Sequence, residues 1–370
     1  MAAPAKTDLQ ARKRIRLASD SEESNIHVGD LQPWGQIGSK DEPQRHAKLW
    51  FDDGNVILVA GRVAVRVHAG LISCDSLVIR TILKPHQHLL QTSDLPTIHL
   101  TDSASDLEAL LWMMYDGRMY FGLTSDPVEF SVISSLIRLG HKYKIADIRD
   151  NALQRLHSCF PTNFEDWCTF NADGSSYITM QANDAIGAVN LARLTRSDTI
   201  LPSALYACCC LSTRVILHGV RRADGFLEKL SSEDIDRCVE GRLKLMEANT
   251  RELAWVLDMK EASPKCKDKE TCARKLRKLP GKALLEAQGR IHARAKWRDL
   301  DQLGVCSRCL EIVKRQELRG RRKVWLKLPS YMGVTVEDWQ GCSIRGAENI
   351  FLNFGAIEEW VKFLLTPCPD

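Results

Sequence analysis

Hydrophobic residues recur along this 370-residue chain at two spacings, and the spacing changes with position. Val56–Ala60 is a continuous apolar run, the pattern of a buried strand. Val63, Val65 and Val67 then alternate with Ala64, Arg66 and His68, the period of a half-buried strand. Gly61 lies between the two runs and supplies turn freedom, so together they predict a β-hairpin. Val78, Ile79, Ile82 and Leu83 fall at helical spacing, and Pro85 stops that helix. Residues 86–96 read as loop and residues 97–100 as a third strand.

The next signals are helical. Ser105 and Glu108 predict a capping box, with Leu107, Leu110, Leu111 and Met114 on one face behind it. Asp126, Pro127 and Glu129 open another helix, whose inward stripe is predicted as Val128, Val132, Leu136 and Leu139. Ile148, Ala152 and Leu156 mark a further helix that ends before Pro161. Hairpin, helix, strand and helical cluster make a small α+β unit. From about residue 163 the pattern is mainly helical, over 184–194, 202–218, 233–258 and 282–296. Pro202 and the Ser231/Asp234 pair mark two of those starts. No fixed-period repeat is present, which argues against a solenoid or propeller.

Residues 1–46 show no such periodicity and read as a disordered tail. Arg12, Lys13, Arg14 and Arg16 precede Asp20, Glu22 and Glu23 there. Two readings stand: a nuclear-import signal beside phosphorylatable serines, or a solvated tail. Composition narrows the class without naming a partner. Hydrophobic residues are 44% and charged residues 26%, which excludes a wholly disordered chain. A net charge of +4 singles out no partner class. The 13 cysteines are odd in number, and the opening MAAPAKTDLQARKRIR has no apolar signal core. Reduced thiols in an intracellular protein, nuclear or cytoplasmic, are therefore expected. No apolar run reaches about 18 residues, so no membrane partner is expected.

The first unit resembles a BTB/POZ domain. The likeness is carried by FDDGNVILVAGRVAVRVHAGLISCDSLVIRTIL, by TIHLTDSASDLEALLWMMYDG and by LIRLGHKYKIADIRDNALQRL, in that order. Asp53 to Val56 leads into Val67, His68, Ala69 and Leu71; Leu110 to Gly117 parallels the family's Leu-x-x-Tyr-x-Gly; Lys142 and Tyr143 match its Lys-Tyr pair. The resemblance spans residues 47–160. Residues 161–370 are similar to the helical C-terminal part of fungal BTB proteins that lack kelch, MATH and zinc-finger modules. ILPSALYACC, SSEDIDRCVEGRLKL and the late C-x-x-C carry that second likeness.

The resemblance implies protein binding: self-association as a homodimer, or docking of a partner. It makes His68 a hydrogen-bonded structural histidine and gives Lys142 and Tyr143 a helix end to cap and pack. Many members adapt substrates to cullin-type ubiquitin ligases through a hydrophobic-x-acid motif. Here that position falls at Val132, Ile133 and Ser134, which lack the acid, and Pro127, Val128 and Glu129 are the nearest substitute. A cullin scaffold is therefore an open partner and not an expected one.

Candidate chemistry concentrates late in the chain. Cys266 and Cys272 form C-x5-C, and Cys306 and Cys309 form C-x2-C after a further 33 residues. Two readings stand: four thiolates around a structural zinc, or incidental thiols on a helical scaffold. Beyond that zinc, no cofactor is expected. Cys208, Cys209 and Cys210 are consecutive in a predicted helix, about 100° apart, so they cannot converge on one metal. His86 and His88 flank Gln87, with nothing nearby to complete a site.

Residues 265–327 hold 20 Lys and Arg against seven Asp and Glu. Arg319, Arg321, Arg322 and Lys323 with Trp325 are the densest spot. This basic segment reads as a nucleic-acid surface with tryptophan for stacking, or as amphipathic helices whose charges are solvated or meet acidic surface. The chain has no Walker loop, G-x-G-x-x-G, H-E-x-x-H or G-x-S-x-G, and no enzymatic activity is expected.

Overall fold

A four-stranded sheet opens the fold in a computed structural model of the chain, which describes residues 42–87, 95–116, 127–169, 175–259, 261–281, 300–337 and 339. Met1–Glu42 forms a unit of its own, and every element below lies in the second unit, Pro43–Asp370. The basic cluster at residues 12–16 and the helix predicted over 282–296 lie outside the described residues.

Strand β1 spans Gln44–Trp50, so the predicted tail stops short of residue 46. Its sequence, QRHAKLW, carries no alternation because only Leu49 is buried. It holds the sheet edge through backbone pairing with the third strand. The predicted hairpin is present: β2, Val56–Ala60, pairs antiparallel with β3, Val63–Val67. Gly61 turns between them with φ +56°. Helices α1, Ala69–Ser73, and α2, Leu77–Leu83, carry the chain across to β4, Thr97–Leu100. A parallel partner needs such a crossover, and β4 indeed pairs parallel with β2. The strand order is β1-β3-β2-β4.

Helix α3, Ala104–Tyr115, is capped two residues earlier than the predicted box, which placed the cap at Ser105. Ser103 is the N-cap and accepts the Asp106 amide at 3.1 Å. Glu108 instead sits 3.3 Å from His46 of β1. Val128–Glu129 forms a short strand, β5, and helix α4 follows over Phe130–Lys142. The buried stripe of α4 runs through Phe130, Ile133, Leu136, Ile137 and Leu139, while Val132 is only half buried. Leu136 and Leu139 of the predicted stripe are buried, whereas Val128 lies in β5 before the helix and Val132 sits at the edge of the buried face. Helix α5, Ala146–Cys159, ends before Pro161 as predicted.

The C-terminal region is mainly helical. It holds α6 (Phe164–Thr169), strand β6 (Ile178–Thr179), α7 (Asp184–Thr195), α8 (Leu201–Cys209) and α9 (Thr213–His218). The single helix predicted over 202–218 breaks at Ser212, whose side chain caps α9. Short strands β7 (Val220–Arg221) and β8 (Leu227–Glu228) precede α10 (Ser232–Glu252), capped by Ser231. Helices α11 (Trp255–Asp258), α12 (Lys269–Leu276), α13 (Ser307–Leu326) and α14 (Leu328–Tyr331) follow among the described residues.

Three buried clusters organise these elements. The first lies between the sheet and α1–α3 and includes Val56, Val67, Ile72 and Leu111. The second begins at Leu110 and continues through α4, α5, α7, α8 and α10 to Met332 and Trp339. It crosses residue 160 without a break, so the α+β unit and the helical region share one core. Trp325 of α13 anchors the far side, with ring centroids 5.0 Å from Trp167 and 4.2 Å from Trp339. A buried polar bridge reinforces the junction. Arg222 donates to both carboxylate oxygens of Asp106 at 3.0 and 3.1 Å, and Ser135 donates to Asp106 at 2.5 Å. Arg138 and Asn190 both reach Glu228. The third cluster is smaller and is built around cysteines.

Candidate metal centre

Two short segments approach each other to make the third cluster. In the first, Cys266 sits in the loop after α11, and the Asp268 side chain caps α12 by accepting the Thr271 amide at 3.0 Å. That cap starts the helix just early enough to place Cys272 in it, facing inward with Leu276 and Leu279. In the second, Gly304 turns the chain with φ +64°, and its carbonyl accepts from Lys275. Cys306 then occupies the N-cap position of α13, with Cys309 in the first turn. One loop and one helix start thus come from each segment, which is how the unusual C-x5-C spacing is accommodated.

The ligand atoms of Cys266, Cys272, Cys306 and Cys309 all lie within 4.8 Å of one another. Cys266 Sγ and Cys306 Sγ are 3.5 Å apart. Four thiolates at about 2.3 Å around a tetrahedral ion stand about 3.8 Å from each other, so the cluster has the size of a metal site. Backbone amides point at the sulfurs: Ser263 N–H donates to Cys309 and Cys306 N–H donates to Cys272, each at 3.3 Å. Such donors favour the thiolate form that metals bind. The Cys309 amide lowers Cys306 to about 7, with help from the neighbouring thiols and against burial. Burial, and then those same neighbours, push Cys266 up to about 12. Val256, Leu276, Leu279 and Val313 close the cluster from water. All four cysteines singled out in the sequence are brought together, and the group can hold a metal ion.

Neither a family model nor a curated protein matches the chain.

Other sequence candidates fare differently. Cys208 and Cys209 are fully buried in the second core beside Cys238, and Cys209 Sγ lies 3.9 Å from Met332 Sδ. They pack as small apolar groups. His86 is in a short 3-10 turn, and His88 lies outside the described residues. His68 has two partners that sequence spacing did not reveal: Asp53 at 3.1 Å and the Tyr115 hydroxyl at 2.8 Å. Lys142 pairs with Asp102 at 2.6 Å, and the buried Tyr143 hydroxyl reaches the same carboxylate. No helix among the described residues is long and apolar enough to cross a membrane.

The densest basic spot is not a stacking surface. Trp325 is fully buried. Arg321 pairs with Glu317 at 2.9 Å, both nearly buried. Lys323 pairs with Glu252 at 3.0 Å, and Arg322 lies 3.9 Å from Glu165. A basic run on a helix can be consumed by acids from distant elements, which linear charge counting cannot see.

Proposed function

We propose that this chain is a protein-interaction protein built on a BTB/POZ-type domain, and that its four cysteines hold a structural zinc ion. The observation that carries the first part is the double pairing of β2, antiparallel with β3 and parallel with β4 across α1–α2. That topology falls on the residues that resemble the family and supports the reading. The resemblance implies self-association or docking of a partner. Leu77, 68% exposed at the first turn of α2, offers apolar surface for such a contact. Burial of that kind contributes about 25 cal/mol per Å² before association costs. No catalytic step belongs to this reading. The cullin variant gains nothing from the geometry, since Ile133 and Ser134 are buried in α4.

Zinc suits the cluster because four soft thiolates closing a tetrahedron leave no open position for chemistry. Its role is to tie the segment around Cys266 to the start of α13.

Two measurements test the proposal. Light scattering on a sizing column is expected to show concentration-dependent self-association that Leu77→Asp weakens. A strict monomer at high concentration removes the homodimer form. Elemental analysis of protein purified without chelator is expected to return one zinc per chain. Protein that is metal-free and takes up no zinc on titration overturns the metal reading.

A further inference from the structure

We propose that the surface of the cysteine module is a docking face for the phosphate backbone of duplex nucleic acid. It lies within the basic segment 265–327 but away from its densest spot at residues 319–325, and it goes beyond the metal and protein-interaction readings.

The argument starts from charge that the fold leaves unused. Residues 261–281 and 300–317 carry 10 Lys and Arg against six Asp and Glu, and residues 318–327 add five more cations and no acid. On the second half of α13 those cations are engaged, as Arg321, Arg322 and Lys323 show. Around the cysteines fewer are: Lys275 donates to the Gly304 carbonyl, and Arg274 and Lys275 attract the Asp268 carboxylate. Lys265, Lys267, Arg274, Arg277, Lys278 and Arg308 are all exposed, and none makes an ion pair among the described residues.

The same fold that gathers the sulfurs gathers these charges. Lys265 and Lys267 flank Cys266, Arg274 lies two residues after Cys272, and Arg308 lies between Cys306 and Cys309. The four ligand atoms sit within 4.8 Å of one another, so their neighbours in sequence converge too. On α12 the buried side is Cys272 and Leu276, continued by Leu279 beyond its end. At 100° per residue, Arg274, Arg277 and Lys278 fall on the opposite side. Zinc with four thiolates would carry two negative charges; the six cations outnumber them, with Asp268 and Glu270 on the same segment reducing the surplus.

The choice of ligand follows from what the surface lacks. Among the described residues, 261–281 and 300–317 contain no Phe, Trp or Tyr; Trp255 packs half-buried against the cluster, and the exposed Leu257 and Leu318 lie just outside these segments. Protein interfaces centre on a buried aromatic or apolar anchor, which these two segments do not supply. Single-strand binders need aromatic platforms, which the two segments do not supply either. Unpaired cations alone suffice for a phosphate backbone read without sequence preference.

The test uses the full chain and fluorescence anisotropy with a short labelled DNA duplex of mixed sequence. Affinity is expected to fall on the order of 10³-fold between about 50 and 200 mM salt. The triple variant R274E/R277E/K278E is expected to bind at least ~30-fold more weakly and to flatten the salt slope by about one unit per residue. R274Q/R277Q/K278Q, which keeps the helix formers, is expected to show a smaller loss of the same kind. A control with the same charge change elsewhere, K48E/K84E/R214E, is expected to keep most of the binding. No binding at low salt overturns the inference, as does an equal loss in the control. Competition by polyglutamate as effective as by unlabelled duplex also overturns it, in favour of an acidic protein partner. Zinc is measured on the same samples, so the readings separate. A zinc-loaded chain that ignores DNA ends the interface and leaves the metal. A zinc-free chain that binds through these residues ends the metal and leaves the interface.

Discussion

The second core and the cysteine module share helix α13 and are held by different physics. The C-terminal half of α13 buries Val324 and Trp325 in a cluster that gathers side chains from α3 to Trp339. The N-terminal half buries Cys309 and Val313 in a cluster of seven, three of which are cysteines. Apolar stabilisation grows with the number of side chains enclosed, so the larger cluster needs no additional tie. Only four non-cysteine side chains are fully buried there, with Leu253, Trp255, Met259, Ala262, Leu303, Val305 and Leu310 packed half-buried around them, so this core encloses far less surface than the larger one. The smaller core has the composition of one that relies on its sulfurs. Under the proposed metal reading, this single helix is pinned by burial at one end and by ligand geometry at the other.

The sharpest way to break this comparison is to test the proposed metal by removing it. Chelation, or Cys272→Ser, is expected to abolish amide-exchange protection over 263–279 and 303–313 and to leave 130–160 protected. Equal loss in both regions would show that the two clusters are one cooperative unit. Next in size is the large core itself. Leu136, fully buried in α4, is expected to cost about 2–5 kcal/mol of unfolding free energy when changed to Ala. Denaturant titration reads that value, while zinc content should stay unchanged.

A smaller effect is expected at the polar bridge that joins α3 to the β7–β8 turn. Arg222→Ala leaves the Asp106 carboxylate facing no cation in a mostly buried site. The loss is expected to be about 2 kcal/mol, below the ~3–5 of a fully buried pair because Arg222 stays partly exposed. Asp106→Asn in the same background should recover part of it.

The smallest effect is a pH slope. Burial alone would raise the Asp224 carboxyl, but Arg222 and the Phe226 amide outweigh it and hold it at about 2. Its ordinary value is 3.8. A depressed carboxyl stabilises the fold fully above that ordinary value and loses its contribution as pH falls from 3.8 through about 2. Asp224→Asn is expected to lower stability modestly at neutrality, where that contribution is full, and to flatten the profile so that the variant meets the parent chain at the acid end of that window. An unchanged acid limb would remove Asp224 from the bridge.

Much of the sheet was legible because its residues obey a local rule. Val56–Ala60 and Val63–Val67 announce a hairpin by run and alternation, and the hairpin formed in the expected place. β1 was illegible because six of its seven side chains are not buried, and backbone pairing alone makes it a strand. The cap of α3 was misplaced because Ser103 and Ser105 both offer a helix-starting hydroxyl. Which one caps is decided by where Asp106 must point to meet Arg222 and Ser135. The cysteine quartet was legible as residue types at metal-binding spacing, though nothing in that spacing showed that all four would meet.

By itself the sequence determined the hairpin, the helical phases of its most periodic stretches and the identity of four candidate ligands. These depend on near neighbours, whose geometry the backbone dictates. Tertiary structure alone decided that the core runs unbroken past residue 160 and that Trp325 is buried. It also decided which basic side chains are paired and which are left to solvent. Those outcomes depend on residues a hundred or more positions apart, such as Arg222 with Asp106 or Arg322 with Glu165. Their meeting is fixed by how the helices pack, and no local pattern encodes it.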